Sequence, residues 1–191
     1  MKKHIILLAL SLLLVQCKQE KKEVIPHKKL AKKEKIQSVD TLLIGDLNHD
    51  KIADSIFVTN PMYVGEEDVL EHGCINNLCD ATIRFSCKLP DIPLKNAIGA
   101  TIENMGDIDN DGFDELIIVH QWFVGCWGEM YFYTFKNNQW KQFGSADTHL
   151  CDDASLMSSV KKINNHTIEA TEKYFTEDGD IGKRTKRITI N

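Results

Sequence analysis

GDLNHDKIADSIFV, residues 45–58, and GDIDNDGFDELIIV, residues 106–119, align with each other without a gap, 61 residues apart. Each stretch joins an acidic loop to an apolar segment rich in residues that favour β-structure. A repeat at this kind of spacing is typical of proteins built from copies of one supersecondary unit. The sequence therefore predicts a β-rich protein that repeats a loop-and-strand unit.

Short segments of β-like composition fill the rest of residues 40–191, and turns rich in Asn, Asp and Gly separate them. We expect an all-β, mainly antiparallel fold, either a short, incomplete propeller-like repeat array or an irregular β-sandwich. The expected strands are 41–44, 55–59, 81–87, 98–103, 115–122, 129–135, 140–143, 158–163, 167–175 and 183–190. One short helical turn is expected within 152–162.

Both loops carry oxygen-bearing residues at alternate positions, which is the pattern of a calcium site. Calcium takes six to eight oxygen ligands from carboxylates, amides, backbone carbonyls and water. The expected ligands are Asp107, Asp109, Asp111, the carbonyl of Phe113 and Glu115 in the second loop, and Asp46, Asn48, Asp50, the carbonyl of Ile52 and Asp54 in the first. Asp114 is expected to face solvent or to support a ligand.

The second loop is expected to bind calcium more tightly than the first. Gly112 permits a sharp turn, whereas Lys51 stands at that position in the first loop and adds a positive charge. The alternative is a pair of ordinary acidic turns, in which neighbouring carboxylates would repel each other without a cation. An EF-hand is excluded because loop position 12 holds Phe57 or Ile118, where that motif needs Glu between two helices.

The Gly-Asp-x-Asp/Asn-x-Asp loop that runs into an apolar strand resembles the FG-GAP repeat of integrin-α-type β-propellers. The resemblance implies about one four-stranded blade per repeat, with calcium bracing the loop. Residues 36–191 hold about two and a half units of 61 residues, fewer than the typical four to eight blades of a closed propeller. The chain is more faintly similar to periplasmic lipoproteins with propeller-like folds that inhibit lysozyme-type enzymes.

The N-terminus has the pattern of an export signal. Residues 5–15 are apolar apart from Ser11, a run too short to span a bilayer but as long as a signal-peptide core. The sequence LVQC at residues 14–17 resembles the bacterial lipobox, which implies lipidation of Cys17, although Gln16 stands where a small residue is usual. We expect a signal peptide at 1–16, a charged flexible tether at 17–39 and a calcium-binding domain at 40–191. An ordinary signal peptide is the alternative.

The charge of the chain is unevenly distributed. The formal net charge is −5, but residues 18–35 carry eight Lys and three Glu, and residues 2 and 3 are also Lys, so residues 36–191 carry −12. Such an acidic body excludes nucleic acid as a partner, since nucleic-acid affinity depends on Lys and Arg that neutralise phosphates. It suits cations or a basic protein.

Export to an oxidising compartment permits disulfides. Cys74 and Cys79 flank a short polar turn and are expected to form one bridge, and Cys126 and Cys151 a second. Cys87 lies in an apolar strand pattern and is expected to be a buried free thiol. A zinc site at His72, Cys74 and Cys79 is the alternative, but no second Cys/His pair has finger spacing.

One aromatic segment, residues 120–128, lies between two expected strands. Trp122, Phe123 and Trp127 are candidate interface residues, because exposed Trp side chains are typical interface anchors. The alternative is that they fill the core between sheets.

The sequence contains no Gly-x-Ser-x-Gly elbow, phosphate loop or His-Glu-x-x-His motif. Cys126 near His120 could serve a thiol enzyme, and a pair of carboxylates could serve glycoside hydrolysis. We expect neither. The predicted function is a calcium-binding, non-catalytic module that binds a protein or ligand, anchored by its N-terminal lipid to the bacterial cell envelope. An inhibitor of a lysozyme-like hydrolase is the alternative, and a hydrolase a further one.

Cys17→Ser is expected to leave an exported chain that fractionates as soluble, because the mature protein then lacks the acyl chains that hold it on a membrane. Membrane fractionation with and without detergent measures this. A wild-type chain that is already soluble without detergent would contradict the anchor and support an ordinary signal peptide.

Overall fold

A computed structural model of the chain describes residues 38–61, 79–123, 125–151 and 155–190. The expected signal peptide, Cys17 and nearly all of the tether lie outside these residues. Within them the chain forms eleven β-strands and one 3-10 helix, Leu156–Ser159. The strands are β1 Val39–Gly45, β2 Asp54–Thr59, β3 Ala81–Phe85, β4 Ile92–Leu94, β5 Gly99–Gly106, β6 Glu115–Gln121, β7 Trp127–Lys136, β8 Gln139–His149, β9 Val160–Asn164, β10 Thr167–Phe175 and β11 Ile181–Thr189. None of the described segments is a helix with the length and apolarity needed to cross a membrane.

The strands form three antiparallel sheets of neighbouring chain segments. The first sheet contains β1–β4 in chain order, the middle sheet contains β5–β8 in chain order, and the third sheet contains β9–β11 with β10 in the centre. The prediction of an all-β, mainly antiparallel fold is therefore confirmed.

The sequence repeat corresponds to a structural repeat. Each acidic loop connects the first two strands of a four-stranded sheet, β1 to β2 and β5 to β6. The register shifts just before each loop, between Leu43 and Gly45 in β1 and between Asn104 and Gly106 in β5. The third sheet has three strands and lacks the loop motif.

The middle sheet is covered on both faces. Leu116 and Ile118 of β6 pack in a core shared with the first sheet, whereas Ile117 and Val119 pack in a second core shared with the third sheet. This follows from the alternation of side chains along a strand. Each fully buried Leu or Ile stabilises the fold by about 1.5–3 kcal/mol relative to an exposed one.

Several expected strand bounds are wrong, and one strand was not predicted. β4 was not expected, since it has three residues and contains Pro93, which weakens any strand pattern. β8 continues to His149, beyond the expected end at 143, because it pairs with β7 over its whole length. The short helical turn expected within 152–162 is confirmed as the 3-10 helix Leu156–Ser159, and β9 begins at Val160 rather than at the expected residue 158.

The expected disulfide between Cys126 and Cys151 is present, with 5.1 Å between the Cα atoms. It joins the segment before β7 to the segment after β8. Cys79 is also disulfide-bonded, but its expected partner Cys74 lies outside the described residues. Cys87 is a free thiol, as expected, and is half-buried.

Glu172 carries a buried negative charge at the edge of the second core. Its carboxylate accepts a hydrogen bond from Arg184 Nε at 2.6 Å and lies 3.2 Å from Lys186 Nζ. Burial by itself raises the pKa of Glu172, but the two cationic side chains outweigh burial and hold that pKa below its usual value. The carboxylate therefore stabilises the folded state while it is ionised.

Glu172→Gln is expected to lower the free energy of unfolding by about 1 kcal/mol at pH 7, since both cationic partners are largely exposed and screened. Because the folded pKa lies below the unfolded value of about 4.3, this contribution is present above the unfolded pKa and is lost as the pH falls through the folded pKa. Urea unfolding at pH 7 and pH 3 measures it. Glu169→Gln is the control, because Glu169 lies 3.5 Å from Arg187 and is more exposed. An equal loss for Glu172→Gln at both pH values would show that its charge is not the cause.

Candidate metal centre

The second loop, residues 106–115, is folded by its own side chains. Asp107 accepts hydrogen bonds from the backbone amides of Asp111 and Gly112, each at 3.1 Å. Asp111 accepts one from the amide of Phe113 at 3.0 Å. Gly112 has a φ of 91°, a backbone region that strains any residue with a Cβ. These bonds turn the acidic side chains of the loop towards its interior.

Three carboxylates meet inside this loop. Oxygen atoms of Asp107, Asp109 and Glu115 lie within 4.8 Å of one another. Among the described residues, this is the only group of three His, Cys, Asp or Glu side chains close enough to share a metal ion. Glu115 is fully buried, and the Asp109 side chain is 2% exposed. The arrangement can hold a metal ion through oxygen ligands.

Three carboxylate oxygens of the cluster accept no hydrogen bond, both oxygens of Asp109 and one of Glu115. Neither oxygen of Asp109 accepts a hydrogen bond, and Oε1 of Glu115 accepts none of good geometry, although the Thr134 hydroxyl faces it. Lys136 Nζ lies 2.8 Å from Asp109 Oδ2 and is the ion-pair partner of this carboxylate. One ammonium group does not balance the charge of three clustered carboxylates, and buried carboxylate oxygens without donors are costly, so these oxygen atoms favour a further cation.

Burial and neighbouring negative charges raise the pKa values of two carboxyl groups in the loop. Burial raises the pKa of Glu115 to about 7, and the neighbouring charges of Asp109 and Asp111 add to it, while the amide of Ile108, 2.7 Å from Oε2, lowers it. Burial, together with the charges of Asp109 and Asp107, also raises the pKa of Asp111. A cation among these carboxylates would relieve their mutual repulsion.

The other two expected ligands of the second loop are less closely placed. Asp111 is outside the group of three, and one of its oxygens is held by the amide of Phe113. The Phe113 ring packs edge-on against Phe135, with 4.8 Å between ring centroids. Its carbonyl as a ligand stays a prediction.

The first loop, residues 45–54, has the same backbone but different ligand chemistry. Asp46 accepts from the amides of Asp50 and Lys51 at 3.0 and 2.7 Å, as Asp107 does in the second loop. Both oxygens of Asp54, however, already accept hydrogen bonds, from the amide of Leu47 and the hydroxyl of Ser86. Lys51 adopts a φ of 73°, which costs free energy for a residue other than glycine.

The remaining expected ligands of the first loop are exposed to solvent or bonded to one another. The Asn48 side-chain amide donates a hydrogen bond to Asp50 Oδ2 at 3.0 Å, so this neighbouring carboxylate has a donor. Ile52 is 67% exposed. Within the described part of the chain, the first loop does not bring three carboxylates together. Weaker calcium binding by this loop stays a prediction, and this geometry favours it.

Asp114 does not face solvent, because it joins the two loops. It is 7% exposed. Its Oδ1 lies 2.8 Å from His49 Nε2, and its Oδ2 accepts from Asn104 Nδ2 at 2.6 Å. Its backbone amide donates to the carbonyl of Leu47 at 2.9 Å. The hydrogen bond that His49 donates to the Asp114 carboxylate raises the pKa of His49. Sequence analysis missed this junction, since nothing in the repeat links residues 49 and 114.

Two of the aromatic candidates lie on the surface rather than in either core. Trp122 is 41% and Trp127 is 37% exposed. The Trp127 ring contacts the exposed ring of Phe175, with 4.4 Å between centroids, and the ring of His149, with 5.1 Å. Phe123 packs edge-on against Trp122 and is partly buried. These positions suit a contact surface.

Two thiols and one carboxylate bear on the alternative of an enzyme, which the sequence analysis does not expect. Cys126 is in a disulfide, and burial with the neighbouring Asp54 raises the pKa of the Cys87 thiol to about 11. Among the described residues that line a cleft of about 280 Å³, one carries a carboxylate, Glu103. Glu103 accepts hydrogen bonds from the amides of Leu156 and Met157, both at 2.9 Å, and so caps the 3-10 helix.

Comparison with known proteins found no relative: no family model, no curated protein and no solved structure matches the chain. The similarity to FG-GAP repeats therefore rests on residues 45–58 and 106–119. The chemistry of the site follows from its own residues, a group of three carboxylates that could hold a metal ion and that includes buried oxygens without hydrogen-bond donors.

Proposed function

We propose that this chain is a calcium-binding, non-catalytic binding module, anchored to a bacterial cell envelope through Cys17. The observation that carries the proposal is the buried carboxylate of Asp109, which accepts no hydrogen bond and lies beside Asp107 and Glu115. A cation that fills this space satisfies all three groups at once.

The ligand chemistry favours calcium over other metals. The three clustered side chains supply oxygen only, whereas zinc sites use Cys and His. Magnesium requires near-ideal octahedral geometry and keeps several waters, while calcium accepts irregular sets of six to eight oxygens. A short acidic loop in which side-chain and backbone oxygens surround one ion meets the calcium requirement.

The position of the loop indicates a structural role for the ion. Asp107 and Glu115 flank the connection from β5 to β6, so an ion between them holds this hairpin closed. Asp114, beside Glu115, holds His49 and Asn104, and Asn104 also donates to the carbonyl of Ile44 in β1 at 3.1 Å. Calcium in the second loop would thus stabilise the junction of the first and middle sheets.

Calcium at ten times its dissociation constant is expected to stabilise the wild type by about 1.4 kcal/mol, a rise in melting temperature of about 3–5 °C. Asp109→Asn is expected to abolish this rise, because it removes the carboxylate that lacks donors. Thermal unfolding in calcium and in chelator measures the difference.

The repeat provides a reciprocal control. Asn48 occupies the position in the first loop that Asp109 occupies in the second, so Asn48→Asp is expected to keep the calcium response and to strengthen binding in the first loop. A wild-type melting temperature that is identical in calcium and in chelator would contradict the proposal. A full response retained by Asp109→Asn would place the ion elsewhere.

A second observation supports binding of a basic protein. Glu129 and Asp147 are paired across β7 and β8, one step along the same face from the pair Trp127 and His149. Glu129 is half-buried and Asp147 is exposed. Exposed aromatic rings beside carboxylates suit Lys and Arg side chains, through charge and cation–π contacts. The net charge of −12 on residues 36–191 would also steer a basic partner towards the chain. An inhibitor of a basic, lysozyme-like hydrolase is one form of this function.

Trp127→Ala is expected to weaken binding of a purified basic lysozyme at least about tenfold, as loss of an aromatic anchor does, with an unfolding free energy within about 1 kcal/mol of wild type. Isothermal titration at two salt concentrations and urea unfolding measure both effects. Trp140→Ala is the stability control, because Trp140 packs on Phe85 and Phe135 and donates to the carbonyl of Pro90. A large stability loss in Trp127→Ala would show that the residue is core, and no binding by the wild type would exclude the inhibitor function.

A further inference from the structure

One cationic side chain reaches into the carboxylate cluster of the second loop. Lys136 ends β7, and its Nζ lies 2.8 Å from Asp109 Oδ2. Its side chain is 27% exposed, while that of Asp109 is 2% exposed. A second lysine near the loop, Lys162, lies 3.4 Å from the backbone carbonyl of Asp107 rather than from a carboxylate. Lys136 is therefore the described lysine that contacts the buried ligand set.

The position of Lys136 is fixed by the hairpin that carries it. Asn137 and Asn138 form the turn to β8 with φ values of 54° and 61°, the left-handed pair of a tight two-residue hairpin turn. Lys136 is paired with Gln139 across this turn. The preceding residue, Phe135, packs against Phe113 of the metal loop. The hairpin tip is thus held against the loop, and the ammonium group is directed at Asp109.

Lys136 and a metal ion need the same carboxylate. Both oxygens of Asp109 are buried, so an ion bound by Asp109 lies within a few ångströms of the ammonium group. Two cations at this distance repel each other strongly in a poorly solvated site. The partial exposure of Lys136 leaves its long side chain a path to water, which no buried group of the cluster has.

We propose that Lys136 is a tethered cation that competes with calcium for Asp109 and thereby sets the calcium affinity of the second loop. The inference rests on the proposed calcium site. Without the metal, Lys136 offsets part of the negative charge of the cluster and keeps the loop folded. When calcium binds, it replaces the ammonium at Asp109, and the lysine side chain moves towards solvent. The loop exchanges one cation for another, so its affinity is lower than its carboxylates alone would give.

The test compares the full chain with Lys136→Met, which keeps the length of the side chain and removes its charge. Lys136→Gln is measured beside it, so that a polar replacement is available where the apolar one does not fold. The matched control is Lys161→Met, since Lys161 is exposed and lies opposite Glu169 on the third sheet. Calcium titration by calorimetry at constant pH and ionic strength gives the affinity, and thermal unfolding in chelator gives the stability of the metal-free form.

Both Lys136 variants are expected to bind calcium about tenfold more tightly or better, a change that one unit charge at this distance readily produces. In chelator, their melting temperatures are expected to fall below that of the wild type, because the carboxylates lose their counter-ion. Lys161→Met is expected to change neither quantity. Equal calcium affinity in the wild type and both Lys136 variants would overturn the competition and leave the calcium site intact. No calcium binding by any of these proteins would instead overturn the calcium site, and the competition with it.

Discussion

Glu115 opens β6, and the four residues that follow it fill the cores on both faces of the middle sheet. Because β6 lies between the two cores, the Glu115 carboxylate at its start is fully buried. Asp107 and Asp109 approach it from the loop. An interior that contains several carboxylates requires a positive charge, because desolvated anions repel each other with little screening. The loop fold, Lys136 and the proposed ion all serve this one requirement.

The two loops share a backbone fold but differ in the charge and hydrogen bonding of their side chains. Their bonds from backbone amides to side chains correspond, since Asp46 and Asp107 each accept hydrogen bonds from two amides of their own loop. The difference lies in single side chains. Asn48 donates to a neighbouring carboxylate in the first loop, whereas Asp109 adds a third negative charge in the second. The first loop therefore pairs its acidic side chains with hydrogen-bond donors, whereas the second leaves three clustered carboxylates that could hold a metal ion.

The two loops also contact each other, so the carboxylate cluster lies next to the junction of the first and middle sheets. Asp114 lies next to Glu115 in sequence and contacts His49 and Asn104. An ion that orders Glu115 orders this junction as well.

Local patterns in the sequence determined the class of fold, most of the strands and the positions of the two acidic loops, because alternation and turn chemistry act over a few residues. They also placed Cys126 with Cys151. The sequence could not show that β8 extends to His149 or that Ile92–Leu94 forms a strand, since pairing with β7 and β3 decides both. Only the tertiary structure placed Lys136 beside Asp109 and His49 beside Asp114, across separations of 27 and 65 residues. The packing of whole sheets creates such contacts, and no local pattern encodes them.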